Sequence, residues 1–178
     1  LLLGPKYALL RPEFLELRKT LKPRDGNVRQ VLLFYGGADS TNQTSKALRA
    51  IKSLNRPEIH FDVVIGSANQ NRASIEKQIN DIPNTTFHIQ VPYFADLMCG
   101  SDLALGAGGS TMWERMCLGL PSIVLAVATN QVETTRIASK SGLCFYLGES
   151  KYVSPKSIKG SIKHCIEKSH LLKNMSRK

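Results

Sequence analysis

The sequence predicts an α/β fold in which a parallel sheet of about six strands is covered by helices on both faces. Six short apolar segments recur along the chain and alternate with stretches of helical character. Glycine-rich turns follow several of these segments directly before a helix begins. With 178 residues, 42% of them hydrophobic, the chain is long enough for one full-sized core. Apolar strands separated by helices are typical of parallel sheets that are buried on both sides.

The predicted elements follow one another in a regular order. The strands cover 31–34, 61–65, 85–89, 103–105, 122–125 and 145–147. The first helices are expected at about 41–54, from the polar turn at 68–71 to about 79, and at 93–99. Three more are expected to begin at about 110, 131 and 154. Two of the helix starts carry capping signals. Ser40 with Gln43 three residues later has the pattern of a capping box, and Ser154 is an N-cap residue followed by a proline.

The chain divides into three predicted parts. Residues 1–27, rich in Lys, Arg and Pro, are interpreted as an interdomain segment with a helix. Residues 28–170 form the predicted ligand-binding domain, and residues 171–178 a basic tail. Because the chain starts at Leu1 without Met, we interpret it as a fragment. Its apolar first residues have no basic segment before them, so no signal peptide is predicted.

Several classes of protein are excluded by composition. The longest apolar run, around 120–128, is shorter than the roughly 18–20 residues of a spanning helix, so no membrane insertion is expected. The four cysteines lie far apart and form no CxxC pattern, which predicts reduced thiols in a cytoplasmic protein and no metal site. They are Cys99, Cys117, Cys144 and Cys165.

The formal net charge of +10 is concentrated at the two ends of the chain. Residues 151–178 carry +7 and residues 1–30 carry +4, whereas residues 31–150 carry −1. A protein that binds nucleic acid concentrates its cations on one binding face. We therefore expect a solvated basic helix at the C-terminus and no nucleic-acid partner.

The glycine-rich turns indicate where a ligand binds. They lie at 36–37, at 66 and at 108–109, each after a predicted strand and before a helix. The carboxyl ends of parallel strands meet at one edge of the sheet, which is where ligands bind in this fold class. Backbone amides at the start of a helix favour anions. The sequence therefore predicts a ligand that carries phosphate.

The most informative stretch is 106–115, GAGGSTMWER, whose first five residues we call the glycine loop (residues 106–110). The amides of Gly109, Ser110 and Thr111 would open a helix next to a phosphate. Glu114, four residues after Ser110, lies on the same helix face, and its two oxygens suit the two hydroxyls of a ribose. The alternative is that Ser110 only caps the helix and Glu114 only complements the helix dipole. The stretch matches neither the P-loop nor the GxGxxG pattern.

The chain resembles one family in four segments: LLLGPKYALLRPEF, VLLFYGGADSTNQT, VVIGSANQN and SDLALGAGGSTMWERMCLGLPSIVLAVATNQ. The family is the UDP-2,4-diacetamido-2,4,6-trideoxy-β-L-altropyranose hydrolase of pseudaminic acid biosynthesis, with its spore-coat polysaccharide relatives. More distantly the chain is similar to the nucleotide-binding half of the peptidoglycan N-acetylglucosaminyltransferase. The resemblance implies the Rossmann-like C-terminal half of a two-domain GT-B protein, with UDP or a UDP-amino-sugar as ligand.

The same resemblance implies that catalysis requires another domain. In the family the catalytic His lies in an N-terminal domain, and none of the four histidines here matches its position. No catalytic residue is therefore expected in this chain, and the missing N-terminal domain is the expected protein partner. No cofactor and no metal are expected.

The resemblance also implies a role for individual residues. Gly109, Ser110 and Thr111 would contact the UDP phosphates and Glu114 the ribose. Arg11 would reach the diphosphate or the sugar, unless it is a solvated linker charge. Gly37 would allow the first loop to approach the ligand. The residues expected near uracil are Ser67, Ala68 and Asn69, and those expected near phosphate or sugar hydroxyls are Asn130 and Gln131. The alternatives are that Asn69 only forms a turn and that Asn130 only caps a helix.

Three functions remain open at this point. The resemblance implies a hydrolase that releases UDP from a UDP-diacetamido-trideoxy-hexose. The donor domain of a GT-B glycosyltransferase that uses a UDP-sugar would have the same nucleotide contacts. A nucleotide-sugar-binding module without catalysis is the third alternative.

Overall fold

The computed structural model describes residues 8–177. Six parallel strands form one sheet in the order β3-β2-β1-β4-β5-β6. The predicted fold class is confirmed, and each strand starts within one residue of its predicted position. The strands are β1 (Gln30–Phe34), β2 (His60–Ile65), β3 (Thr85–Ile89), β4 (Leu103–Ala107), β5 (Ser122–Ala126) and β6 (Phe145–Glu149).

Eight helices occur within residues 8–177, and they cover both faces of the sheet. The strands alternate their side chains between the two cores. Val31 and Leu33 face the core under α2, α3 and α7, while Leu32 faces the core under α1 and α4. The helices are α1 (Pro12–Thr20), α2 (Gln43–Leu54), α3 (Arg72–Ile79), α4 (Phe94–Gly100), α5 (Ser110–Cys117), α6 (Thr129–Lys140), α7 (Pro155–Glu167) and α8 (Ser169–Ser176).

Strand β4 is longer than the sequence predicts because it continues through Gly106 to Ala107. Gly106 has no room for a side chain, since a Cβ there would lie 2.8 Å from the carbonyl oxygen of Phe34 and 2.5 Å from Nη1 of Arg115. Gly106, which the sequence predicts to be part of a turn, is therefore a strand residue whose close packing leaves room only for glycine.

Helix α2 begins differently from the prediction. Its N-cap is Asn42, whose side chain accepts a hydrogen bond from the amide of Ser45, so the capping box of Ser40 and Gln43 is wrong. Asp39 and Asn42 both have positive φ angles, 40° and 51°. This turn brings the carboxylate of Asp39 to the amides of Gln43 and Thr44, at 2.9 and 2.8 Å. Asp39 is thus a turn and capping residue, whereas Ser154 caps α7 as predicted.

Both ends of the described chain pack on the domain. Phe14 of α1 is fully buried in the core that α4 also contributes to, although α1 lies in the predicted interdomain segment. The predicted boundary between residues 170 and 171 falls inside α8. Leu172 and Met175 of α8 are buried, so the predicted basic tail is helical through Ser176 and anchored by apolar contacts. The predicted last helix is two helices, α7 and α8.

Two further properties concern residues 8–177 as a whole. Within this range no helix is both long and apolar enough to span a bilayer. All four cysteines are free; Cys144 and Cys165 are buried, and the other two are half-buried.

Candidate functional site

Three loops at the carboxyl ends of β1, β2 and β3 enclose a cleft of about 410 Å³. The first two loops touch at their glycines, because the amide of Gly66 donates to the carbonyl of Gly37 at 3.0 Å. A Cβ on Gly66 would lie 2.6 Å from Cα of Gly37, so only glycine permits this approach. We call this cavity the edge cleft; its lining is Arg11, Phe34, Gly37, Ala38, Val64, Ile65, Gly66, Ser67, Ala68, Gln90, Val91 and Phe94.

The floor of the edge cleft is apolar. The rings of Phe34 and Phe94 lie 4.7 Å apart with a 60° tilt, and Val64 and Val91 extend this surface. Gln90, Val91 and Phe94 are site residues that no sequence motif predicts. Gln90 directly follows β3 and has a positive φ of 46°, so its position after a strand was the signal that could have found it.

Arg11 and Glu114 meet at the margin of the edge cleft. Arg11 precedes α1, and its guanidinium lies 5.0 Å from the centre of the Phe14 ring, 3.0 Å from Glu13 and 3.5 Å from Oε1 of Glu114. The side chain of Glu114 is only 14% exposed, against 51% for Arg11. Burial raises the pKa of the Glu114 carboxyl, and the charge of Arg11 partly opposes this shift. The second oxygen of Glu114, Oε2, is buried and has no hydrogen-bond partner.

The glycine loop leads from β4 into α5. The N-cap position of α5 is Gly109, and Ser110 is the first helical residue, so Ser110 does not cap the helix. A Cβ on Gly108 would lie 2.3 Å from Oγ1 of Thr135, which keeps this backbone close to α6. The first amides of α5 have no partner within the helix, as at any helix start. An exposed Ser110 and a half-buried Thr111 border these amides.

Arg115 lies beneath the glycine loop, and no sequence motif predicts it as a site residue. Its side chain is fully buried, and it donates hydrogen bonds to the carbonyl of Ala107 at 2.8 Å and to Oγ1 of Thr111 at 3.3 Å. An arginine in a short amphipathic helix is ordinarily expected at the surface, so the sequence alone gave no signal.

The two predicted residues of α6 differ in position. Gln131 lies beside the glycine loop: its Oε1 accepts from the amide of Val127 at 3.0 Å, and its Nε2 would lie 3.6 Å from a Cβ on Gly109. Asn130 is exposed in the first turn of α6, whose N-cap is Ala128. The alternative role of Asn130, as the N-cap of this helix, is therefore wrong, and its ligand contact stays a prediction.

The loop after β2 also separates its predicted residues. Ser67 and Ala68 line the edge cleft, whereas Asn69 does not belong to its lining. Asn69 is 5% exposed, and its Oδ1 accepts from the amide of Asn71 at 2.8 Å. This is the turn role that the sequence also allowed for Asn69.

A second polar cluster lies on the sheet, away from the glycine loop. Nε2 of His88 is 2.7 Å and Nε2 of His60 3.4 Å from Oδ1 of the buried Asp62, and Gln30 donates to the other oxygen at 2.7 Å. Among residues 8–177 no group of three or more His, Cys, Asp or Glu side chains is arranged to hold a metal ion.

Curated relatives of this chain are known, although no family model matches it. The chain is homologous to the spore coat polysaccharide biosynthesis protein SpsG of Bacillus subtilis (strain 168), with 29% identity over 87% of this chain and 46% of that protein. It is also similar to the UDP-N-acetylglucosamine–N-acetylmuramyl-(pentapeptide) pyrophosphoryl-undecaprenol N-acetylglucosamine transferase of Exiguobacterium sp., with 27% identity over 84% of this chain and 42% of that protein. The chain thus spans less than half the length of these relatives.

Solved structures with the same fold include three carbohydrate enzymes. MurG of Acinetobacter baumannii matches with a TM-score of 0.69 and 16% identity, over 88% of this chain and 48% of that one. The rhamnosyltransferase SpnG complexed with thymidine diphosphate gives 0.62 and 22%, over 87% and 43%. The UDP-GlcNAc 2-epimerase of Neisseria meningitidis bound to UDP-GlcNAc gives 0.65 and 19%, over 86% and 40%. The fold is therefore the Rossmann-like fold found in GT-B glycosyltransferases.

Proposed function

We propose that this chain binds the nucleoside diphosphate part of a UDP-sugar, as the donor domain of a GT-B glycosyltransferase-like enzyme. The observation that carries the proposal is the carboxylate of Glu114, which is largely buried although one of its oxygens has no partner. A buried unpartnered acceptor is costly unless a ligand satisfies it. The two hydroxyls of a ribose are donors of the right number and spacing for the two carboxylate oxygens.

The edge cleft is the proposed place of the base. Its apolar floor suits the face of a planar ring, and the backbone groups of the loops after β2 and β3 are available to its polar edge. Arg11 lines this cleft and also contacts Glu114, so the base site and the ribose site are continuous. A pyrimidine is proposed because two proteins of the same fold are described with thymidine diphosphate and UDP-GlcNAc.

The glycine loop and the start of α5 are the proposed place of the diphosphate. The free amides of the first turn and the helix dipole favour negative charge there, and Ser110 and Thr111 add hydroxyl donors. When the bond from the anomeric carbon to the diphosphate breaks, its electron pair stays on the leaving UDP. Donors that already point at that oxygen stabilise the developing charge, which is how this domain would contribute to catalysis.

Transfer to an acceptor sugar is placed before hydrolysis because the similar proteins described above include transferases. Hydrolysis is the second candidate, favoured by the resemblance of the glycine loop and its flanks to the UDP-sugar hydrolase family. The two reactions share every contact with UDP and differ in the acceptor, which is a sugar hydroxyl or water. A binding module without catalysis is the third candidate.

Calorimetry on the 178-residue chain tests the binding part of the proposal. UDP is expected to bind more tightly than uridine, because the phosphates add contacts at the glycine loop, and more tightly than ADP, because the base site is built for a pyrimidine. Absence of heat with UDP, or equal affinity for UDP and ADP, would contradict the proposal.

The reaction itself is tested on the chain together with any further domain of the same protein. Release of UDP from a UDP-amino-sugar is followed with and without candidate acceptor sugars. Release that depends on an acceptor supports transfer, and equal release without acceptor supports hydrolysis. Tight UDP binding with no turnover of any UDP-sugar supports the module.

A further inference from the structure

Arg115 lies beneath the glycine loop and connects the residues on either side of Gly108 and Gly109. Its side chain points back from the last turn of α5 toward the start of that helix. One guanidinium nitrogen donates to the carbonyl of Ala107, where β4 ends, and the other donates to the hydroxyl of Thr111, in the first turn of α5. The guanidinium fits against Gly106, where a Cβ would lie 3.0 Å from its central carbon.

The positive charge of Arg115 makes no ion pair among residues 8–177, although the carboxylate of the neighbouring Glu114 attracts it at longer range. None of the ion pairs in that range includes Arg115, and its Nε is buried without a partner. Burial lowers the pKa of Arg115 to about 10, so the side chain is still protonated at neutral pH. The neighbouring phenol of Tyr35 and thiol of Cys144 are neutral there, because burial raises the pKa of both, that of Cys144 to about 11.

A second buried arginine shows how such a charge is ordinarily accommodated. Arg24 donates to the carbonyls of Met98, Ser101 and Leu118, which lie at or beyond the carboxyl ends of α4 and α5. Helix carboxyl ends carry partial negative charge, so Arg24 is favourable where it lies. The guanidinium of Arg115 lies near the other end of α5, beside Thr111, where the helix start already contributes positive potential. An anion at the glycine loop would therefore add the counter-charge that the two neutral acceptors of Arg115 do not supply.

We propose that Arg115 is the buried counter-charge of the ligand diphosphate and the positioning residue that holds the glycine loop in its phosphate-binding shape. This inference rests on the proposed function and adds to it a residue that does not touch the ligand. It also explains why position 106 is glycine, since any larger residue would displace the guanidinium. The role is specific to the phosphates, so the affinity for uridine does not depend on Arg115.

The test compares affinities for UDP and uridine in four proteins at one salt concentration. Arg115→Met is expected to lower the UDP affinity about tenfold or more and to leave the uridine affinity within about twofold. Arg24→Met is the matched control: it removes another buried arginine, so it lowers the melting temperature but keeps the wild-type ratio of UDP to uridine affinity. A folded Arg115→Met protein with the wild-type ratio overturns the inference.

Arg115→Lys keeps a charge at this position and decides the question if the Met variant does not fold. A buried lysine has a pKa well below its usual value, so its charge is lost at a lower pH than that of arginine. Between pH 7 and pH 9, the ratio of UDP affinity to uridine affinity is expected to fall in this variant relative to the ratio of the wild type at the same pH. The wild type is the reference because every other titratable group is the same in the two proteins. A ratio equal to the wild-type ratio at every pH overturns the inference. Absence of UDP binding in the wild type contradicts the proposed function instead.

Discussion

The guanidinium of Arg11 lies 3.5 Å from Oε1 of Glu114, so a residue just before α1 contacts the middle of α5 at the margin of the edge cleft. The contact joins the segment that precedes the sheet to the helix that follows the glycine loop. It occupies one oxygen of Glu114 and leaves Oε2 buried without a partner. Glu114 is therefore neither a solvent-exposed carboxylate that only complements the helix dipole nor one whose two oxygens are both paired. This agrees with the proposal that a ligand donates to it.

Glu114→Gln is expected to weaken UDP binding about ten- to a hundredfold. The amide loses the charge-assisted hydrogen bonds to the ribose, which contribute roughly 1.5–3 kcal/mol. The stability of the folded chain is expected to change little, because burial of the charge is itself unfavourable. Calorimetry and thermal melting measure the two effects. Glu133→Gln on the exposed face of α6 is the control, with unchanged affinity. A stability loss of about 0.3–1 kcal/mol with unchanged UDP affinity would instead assign Glu114 to the helix dipole.

The affinity for uridine is expected to fall on acidification, at a higher pH than the usual pKa of a Glu carboxyl. Burial raises the pKa of Glu114, so the carboxylate proposed to accept from the ribose is protonated at a higher pH than an exposed one. The raised pKa also means that the folded chain binds this proton more tightly than the unfolded chain. The contribution of Glu114 to stability therefore decreases as the pH rises from the usual value through the raised one.

Uridine titrations between pH 7 and pH 5 measure this dependence, since uridine has no group that titrates in that range. The same titrations on Glu114→Gln are expected to be flat, because the amide does not titrate. Equal pH dependence in the two proteins would show that another group controls binding.

How far the sequence predicts this molecule depends on the range of the interaction. The strands follow from local apolar runs, and Ser154 follows from a local capping signal, so both are found where predicted. The contact of Arg11 with Glu114 joins residues about a hundred positions apart and depends on how α1 packs against α5. Gln90 and Val91 line the edge cleft only because β3 lies beside β2 in the sheet, and a local sequence pattern does not specify that strand order.

Buried polar groups are the other part that the sequence did not predict. Arg115 is fully buried, whereas arginine is ordinarily exposed, so its place beneath the glycine loop contradicts its residue type. The capping box at Ser40 was wrong for a related reason. Asp39 and Asn42 both have positive φ angles. Their side chains, and not that of Ser40, accept from the first amides of α2, at Gln43 and Ser45. Both cases depend on neighbours that a linear pattern does not specify.

Ser110→Ala is expected to lower UDP affinity while the stability changes by less than about 0.5 kcal/mol. The reason is the position of the cap: Gly109 is the N-cap of α5, and Ser110 is an exposed first helical residue. Ser154→Ala is the matched control, because Ser154 accepts from the amide of Ser157 at 3.1 Å and is a true N-cap. That variant is expected to lose about 1 kcal/mol of stability and no affinity. A Ser110→Ala protein that loses stability but binds UDP as before would assign Ser110 to the helix alone.

Gly66→Ala is expected to destabilise the chain by about 1–3 kcal/mol and to weaken the binding of uridine. A methyl group at this position would lie 2.6 Å from both Cα and the carbonyl oxygen of Gly37, and both are backbone atoms that cannot rotate away. The loops after β1 and β2 must then separate, which changes the shape of the edge cleft where the base is proposed to bind.

Gly160→Ala in α7 is the control, since a methyl group there meets nothing within 4 Å. It is expected to stabilise the helix by about 0.5–1 kcal/mol with unchanged uridine affinity. Melting curves and uridine titrations on both variants decide the matter, and a Gly66→Ala protein that binds uridine as tightly as the wild type would remove the base from the edge cleft.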